Sequence, residues 1–448
     1  MSTLPTPEEP RARLAERAVV VGAGIGGLVA ARVLADFFER VTVVEKDPRG
    51  SATAARKGVP QGQHIHVLLA GGAGVLAELF PGLIDRLTDR GGHRYELGSQ
   101  MCIESAQGGW PLEEQGLHSV STTRPLLESC LRDAVLERPE IDLRSEARVL
   151  CPVWRGARVV GVRLRLSRGT TTELPADLVV DASGLSALSS GWLREAGFAE
   201  PEVSSVRMPI RYSTRVFAIP RGWEAPWKAA TLRFSAPDHP HGALLVPVEG
   251  DRWMVGLSSC SGAAPPSDLD GFLEFARGMG ARTIAGALRA AEPIGPARSH
   301  AFPASVRRHF ERVARYPDGL LTLGDGLCAF NPAYGQGMSS AALQARELHA
   351  ELRARHAQRG SLGSLGPAFF LRCAEVIDTP WRVSVLPDLA FAHAEGDRPK
   401  DLGEFLETLG RLRLRAQSDR ALRRRLLEVF QLVRPWKDLS AEESPAAP

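Results

Sequence analysis

The chain has 448 residues, a formal net charge of +3, 44% hydrophobic residues and 24% charged residues. That length can bury a large core and hold two domains, and the near-neutral balance excludes an electrostatic case for nucleic acid or an acidic membrane. No apolar run approaches the roughly 18–20 residues of a membrane span, and the six cysteines (Cys102, Cys130, Cys151, Cys260, Cys328 and Cys373) show no Cys-x-x-Cys spacing, which speaks against a zinc centre or disulfide framework and suits a reducing cytoplasm.

Residues 1–17 are polar and carry Pro5, Pro7 and Pro10, so a flexible N-terminus is expected rather than a secretory signal. Val19–Val21 reads as a buried parallel strand. Gly22, Gly24 and Gly27 then give the G-x-G-x-x-G spacing. The first glycine permits a tight turn, the second lets backbone approach a pyrophosphate, and the third lets the next helix pack on the strand. That helix is predicted over about 26–36, with its N-terminal N–H groups aimed at the phosphates. A second strand, Val41–Val44, ends at Glu45, an acid placed for a ribose hydroxyl pair, followed by Lys46.

The stretch 63–90 is expected to be helical on the apolar face of Leu68, Leu69, Val75, Leu76, Leu79 and Phe80, broken near Pro81-Gly82. Gly71, Gly72 and Gly74 inside it read as packing glycines, because no strand or later acid supports a second dinucleotide turn. A helix is predicted over 124–136, a strand over 158–166, and a strand over 178–180 leading into Asp181. Strands follow over 210–219, 230–234, 243–248 and 253–257, the last two joined at Glu249-Gly250-Asp251. This texture predicts a mainly antiparallel sheet forming the wall of a substrate chamber, with helices over 269–279 and 283–290 beside it.

Leu320–Leu323 reads as a short buried strand, and Gly324-Asp325 offers a carboxylate to ribityl or ribose hydroxyls. Asn331-Pro332 marks a turn, and Gly335-Gln336-Gly337-Met338 opens a helix running to about residue 355. Its free N–H groups and positive end suit a reduced flavin, which is anionic around N1 and C2=O. The two glycine segments read as two halves of one FAD site. The rest of the chain reads as helical, and the arginine-rich stretch 411–434 reads as the solvated face of a packed helix.

In order, the dinucleotide fingerprint, Asp181-Ala182-Ser183-Gly184, and Gly324-Asp325 with the Pro332 loop resemble the class A flavoprotein monooxygenases of the para-hydroxybenzoate hydroxylase fold. Arg56–His66 and Phe330–Met338 resemble the bacterial branch that holds polyether epoxidases and related natural-product tailoring oxygenases. The middle motif departs from the family's Asp-Gly by the inserted Ala182-Ser183. The resemblance implies an α/β fold: a Rossmann-type FAD-binding domain (18–95, 121–190 and 315–375), an inserted mainly antiparallel substrate domain (96–120 and 191–314) and a helical C-terminal region (376–448).

It further implies FAD, NAD(P)H as co-substrate and O2, a flavin C4a-hydroperoxide, and epoxidation or hydroxylation of a bulky apolar natural product. Residue by residue, Arg56 matches the loop arginine near the flavin and Arg124 the arginine beside the pyrophosphate. Val149 matches a residue whose backbone meets the adenine, and Asp325 the ribityl-binding acid. Pro332, Gly335, Gly337 and Met338 match the loop facing the isoalloxazine ring.

The cofactor carries the hard chemistry, so no catalytic triad is expected. His64, His66, Tyr334 and Gln336 are the polar groups placed to assist, with histidines bonding backbone preferred over proton transfer. No metal is expected, since the two histidines lack clustered partners. Trp110, Trp192, Trp223, Trp227 and Trp253 are candidates for a chamber wall or plain core. A reductase or dehydrogenase of the same fold, a halogenase and a carrier are the competing readings. The halogenase lacks its Trp-x-Trp-x-Ile-Pro segment here, and a carrier has no need of a complete flavin loop.

Overall fold

Val19–Val21 are at most 5% exposed because the strand Ala15–Val21 that they close lies in the middle of a sheet. A computed structural model describes residues 13–49, 60–105, 108–167 and 169–443. The sheet has five strands in the order Leu320–Thr322, Leu178–Asp181, Ala15–Val21, Phe38–Val44 and Ile141–Arg144, all parallel. Helix Ile25–Leu34 packs between it and two further helices, Arg124–Leu136 and Gly337–Ala357. A three-stranded antiparallel sheet (Ala147–Arg155, Arg158–Leu166 and Thr171–Pro175) contacts the strand Leu178–Asp181. This is the Rossmann-type α/β arrangement that the glycine motif predicts.

A six-stranded sheet stands beside it, in the order Pro293–Phe302, Ile210–Ala218, Arg252–Ser259, His241–Val248, Ala229–Leu232 and Met101–Glu104. Its pairings are antiparallel except at the last strand. Phe217, Leu245, Trp253, Val255 and Leu257 on this sheet form their own apolar cluster with Phe272 and Ile284 of helices Leu269–Gly278 and Arg282–Leu288. Trp223 and Trp227 join Trp253 there, with ring centroids 5.1–6.3 Å apart, so these three are core and only Trp110 of the five tryptophans faces the cavity described below.

Two C-terminal helices, Leu402–Arg415 and Arg420–Phe430, bury Leu409, Leu412, Leu422 and Leu426 in the same core as the parallel sheet, and a short helix, Trp436–Glu443, follows them. No helix among the described residues is long and apolar enough to cross a membrane.

Two sequence expectations need correction, and two strands had no expectation. Residues 63–90 are not one helix: Val67–Leu68 is a strand paired with His118–Ser121, and helices span Ala70–Leu79 and Leu83–Asp89. Gly82, at φ +78°, makes the break. The strands Ala147–Arg155 and Pro293–Phe302 went unpredicted because Pro152, Pro293 and Pro296 argue against strand. Both are edge strands, where a missing N–H costs no ladder bond. The arginine-rich stretch is not one solvated helix face but two helices joined by a turn, and Arg413 and Arg423 point inward.

Gly71 and Gly72 act as packing glycines. A Cβ on Gly72 would stand 2.4 Å from Ser339 Oγ, and one on Gly71 would stand 2.2 Å from the Leu432 carbonyl. Their absence lets helix Ala70–Leu79 touch both the start of the Gly337 helix and the end of the last helix pair. Leu69 N–H donates to Ser339 Oγ and Gly71 N–H to the Gln431 carbonyl.

Candidate functional site

One continuous cavity of about 1300 Å³ runs from the glycine turn to the six-stranded sheet. Gly22 sits at φ +101°, a conformation open to glycine, and its N–H donates to the Val44 carbonyl. Gly24 is the N-cap of helix Ile25–Leu34, and a Cβ there would meet nothing within 4 Å, so this backbone opens on the cavity. Gly27 does not line the cavity: its Cβ would stand 1.9 Å from the Gly22 carbonyl, which makes it the helix-to-strand contact. Glu45 is buried at the cavity wall, accepting from Ala23 N–H at 2.8 Å and Asp47 N–H at 3.0 Å, with Lys46 beside it. Arg124 and Val149 line the same end, while Arg56 lies outside the described residues.

Asp181 departs from the expected direct contact. Its carboxylate is fully buried, accepts from Ser183 N–H at 3.0 Å and Ser189 N–H at 2.7 Å, and does not reach the cavity. Its work is to fold the loop so that Ala182–Ser186 presents backbone to the cavity instead.

Asp325 lines the middle of the cavity, and its carboxylate accepts no hydrogen bond among the described residues. Burial pushes its carboxyl up, and the nearby Arg124 charge opposes this. Pro332, Gly335, Gly337 and Met338 line the cavity beside it, where Asn331 Oδ1 accepts from Ala333 N–H at 3.0 Å and Gly335 turns at φ +67°. The helix that begins at Gly337 has no acidic residue in its first turn, so its positive end is left to a ligand. Gln336 is buried, and its Oε1 finds no hydrogen-bond partner among the described residues, leaving an acceptor aimed into this region.

The two histidines are neutral near pH 7. His66 Nδ1 donates to the His64 carbonyl at 2.9 Å, which leaves Nε2 to accept from Arg124 at 3.3 Å. Burial and the Arg124 charge hold its pKa down at about 3. His64 bonds Thr214 Oγ1 at 2.9 Å, lies edge-on to Tyr212, and is lowered to about 4 by burial and His300. As groups that position Arg124 and the six-stranded sheet they fit well; as proton donors at neutral pH they do not.

Tyr334 is also committed, since its hydroxyl donates to Asp388 Oδ1 at 2.5 Å. Asn331 Nδ2 donates to the other oxygen at 3.3 Å. Sequence reasoning missed Asp388, although a lone acid in the apolar stretch 383–391 is a usable signal. Burial lifts its pKa from 3.8 to about 7. The folded chain therefore keeps a proton that an unfolded Asp releases, so stability is full below about pH 4 and falls as pH rises to about 7. Asp388→Asn keeps an acceptor for Tyr334 and removes this slope. Between thermal unfolding at pH 5 and at pH 8 the variant gains about 2.7 kcal/mol on the parent. An unchanged slope would show that Asp388 is not the titrating group.

The geometry fits a dinucleotide flavin: an open glycine cradle, a helix N-terminus on either side, an unsatisfied acid and an unsatisfied buried amide oxygen line one cavity. The comparisons agree. The family model described as FAD dependent oxidoreductase matches residues 18–199. Protein Rv3254 of Mycobacterium tuberculosis is 33% identical over 395 residues, covering 85% of this chain and 82% of its own. Among solved structures, the flavin-dependent brominase Bmp2 superposes with TM-score 0.64 at 14% identity, covering 93% and 94% of the two chains. PqsL of Pseudomonas aeruginosa, a probable FAD-dependent monooxygenase, superposes with TM-score 0.59 at 17% identity over 88% and 99%. Domain-long identity to a relative, the matched family model and the cofactor-shaped cavity lead to one conclusion: the chain belongs to the FAD-dependent oxidoreductase family.

Proposed function

We propose that this chain is an FAD-dependent monooxygenase that takes electrons from NAD(P)H and inserts one atom of O2 into a bulky natural product by epoxidation or hydroxylation. The observation that carries the reading is the single cavity joining the glycine cradle to a chamber beyond the Gly335–Met338 loop. Bound FAD supplies the redox chemistry, accepting hydride and then activating oxygen beside the substrate.

The chain's own residues bind and orient. Gly24 and the first N–H groups of helix Ile25–Leu34 take the pyrophosphate, Glu45 the ribose, and Asp325 the ribityl hydroxyls. Arg124, held by Glu128 at 2.8 Å and by His66, would offer a positive charge to the cofactor phosphates. The Gly337 helix terminus and Gln336 would hold the flavin ring, offering N–H donors to its reduced, anionic form. The six-stranded sheet and the C-terminal helices wall the chamber and exclude water. The separate apolar cluster of that sheet supports an FAD unit of 18–95, 121–190 and 315–375 and a substrate unit of 96–120 and 191–314. Six unpaired cysteines support a reducing, cytoplasmic setting.

The test is rapid mixing of the photoreduced, FAD-loaded protein with oxygenated buffer. A transient absorbance, blue-shifted from oxidised flavin and preceding its return, is expected. Direct return of oxidised flavin with no transient, even with an apolar polyene or aromatic acid present, would favour a reductase or dehydrogenase. Parallel rates of NADH and NADPH oxidation identify the donor.

A further inference from the structure

The far end of the cavity holds two guanidiniums with no counter-ion among the described residues. Arg233 follows the strand Ala229–Leu232, Arg413 lies in the last turn of helix Leu402–Arg415, and both line the cavity. Both stand over the ring of Phe430, at 4.9 and 5.3 Å, and Arg233 also stands over Trp110 at 5.7 Å. Neither meets a carboxylate among the described residues, and Arg413 Nε is buried without a hydrogen-bond partner there. The same helix pair neutralises its other inward arginine in the ordinary way, Arg423 with Glu113 at 2.8 Å. Asp388 is held by Tyr334 and Asn331, and Glu104 by Thr283.

Burial and the charge of Arg413 pull Arg233 down to about 10, and burial lowers Arg413 as well. Two enclosed like charges on one aromatic ring destabilise the free chain, because the ring's attraction returns only part of what desolvation and repulsion cost. A bound anion relieves both costs. Each planar guanidinium offers a donor fork matched to a carboxylate, while Phe430, Trp110, Leu232 and Leu409 leave apolar contact beside the head group.

We propose that Arg233 and Arg413 form an anion subsite that fixes a carboxylate of the substrate, whose apolar or aromatic body then extends toward the Gly335–Met338 loop. This refines the substrate class of the proposed monooxygenase and rests on that reading for the presence of substrate and flavin in one cavity. It adds a charged head group to the bulky apolar substrate of that reading.

The experiment uses the full-length FAD-loaded protein and the matched probes 2-naphthoate and 2-naphthamide. Binding is read twice, by perturbation of the flavin spectrum and by tryptophan fluorescence. The acid is expected to bind about tenfold or more tighter than the amide. Arg413→Met and Arg233→Met, which keep the stem and drop the charge, bring the acid to the level of the amide. Arg413→Met also raises the melting temperature of the apoprotein, since it removes an uncompensated charge. Equal binding of the two probes by the parent protein overturns the proposal. So does an acid preference that survives both substitutions, a fall in apoprotein melting temperature, or inorganic phosphate or bromide binding as tightly as the acid. Failure of the flavin reading is distinct: a colourless protein that still prefers the acid by fluorescence keeps the subsite and loses the oxygenase.

Discussion

Gly24→Val yields a folded protein that no longer holds FAD, whereas Gly27→Ala, a smaller change three residues on, yields one that folds poorly. The difference lies in what each new side chain meets. At Gly24 the backbone is extended, at φ −75° and ψ 179°, and the Cβ direction is open, so a valine fits the apoprotein and fills the volume the pyrophosphate needs. FAD affinity should drop on the order of 100-fold, about 2.7 kcal/mol, with the apoprotein melting temperature unchanged. At Gly27 a Cβ would lie 1.9 Å from a backbone carbonyl that cannot swing away, so helix and strand must separate at a cost of about 3 kcal/mol or more. Flavin fluorescence on ultrafiltration and calorimetry of the two apoproteins check the pair. Retention of FAD by Gly24→Val would sink the cradle, and a normally stable Gly27→Ala would sink the packing argument.

Asp325→Ala moves stability and cofactor affinity in opposite directions. The carboxylate is half-buried on the cavity wall, accepts no hydrogen bond within the described chain, and is raised by burial against the Arg124 charge, so removing it should stabilise the apoprotein. The same deletion removes the acceptor for ribityl hydroxyls, and hydrogen bonds to a charged group contribute roughly 1.5–3 kcal/mol, or about 10- to 150-fold in affinity. Asp325→Asn should fall between the two. A loss of apoprotein stability in Asp325→Ala, or full flavin occupancy, would show that the acid serves the fold rather than the ligand.

The cofactor end of the cavity was legible in the sequence because its requirements are local. Gly22 and Gly24 are demanded by a turn and a close approach within a few residues, and strand, helix and acid follow in fixed register. Asp181 shows the limit of that reading: the residue is buried beside the motif as expected, yet its oxygens serve Ser183 and Ser189, which no spacing reveals. The far end was not legible, because it is assembled by helices that fold back from the C-terminus. Arg413 hides among arginines, with Arg411 and Arg415 exposed on the same helix. One signal was there to be used: Leu409, Leu412, Arg413 and Ala416 fall at i, i+3, i+4 and i+7, so Arg413 occupies a core-facing position. An arginine on the apolar stripe of a helix deserves a search for its anion.

The strand order of the parallel sheet also governs when the protein can first hold its cofactor. Ala15–Val21 pairs with Leu178–Asp181, and that strand pairs with Leu320–Thr322, so the sheet is completed by a segment made some 300 residues after its first strand. At ribosomal speeds of ~5–20 residues per second that gap lasts roughly 15–60 s. From the synthesis of Leu178–Asp181 until that of Leu320–Thr322 the nascent chain exposes an apolar sheet edge, and throughout the interval it lacks Asp325, the Gly337 helix and the C-terminal helices of the chamber wall. Flavin loading is therefore a late event in biosynthesis, and a cell starved of flavin would accumulate chains whose glycine cradle is formed but whose second half has nothing to close upon.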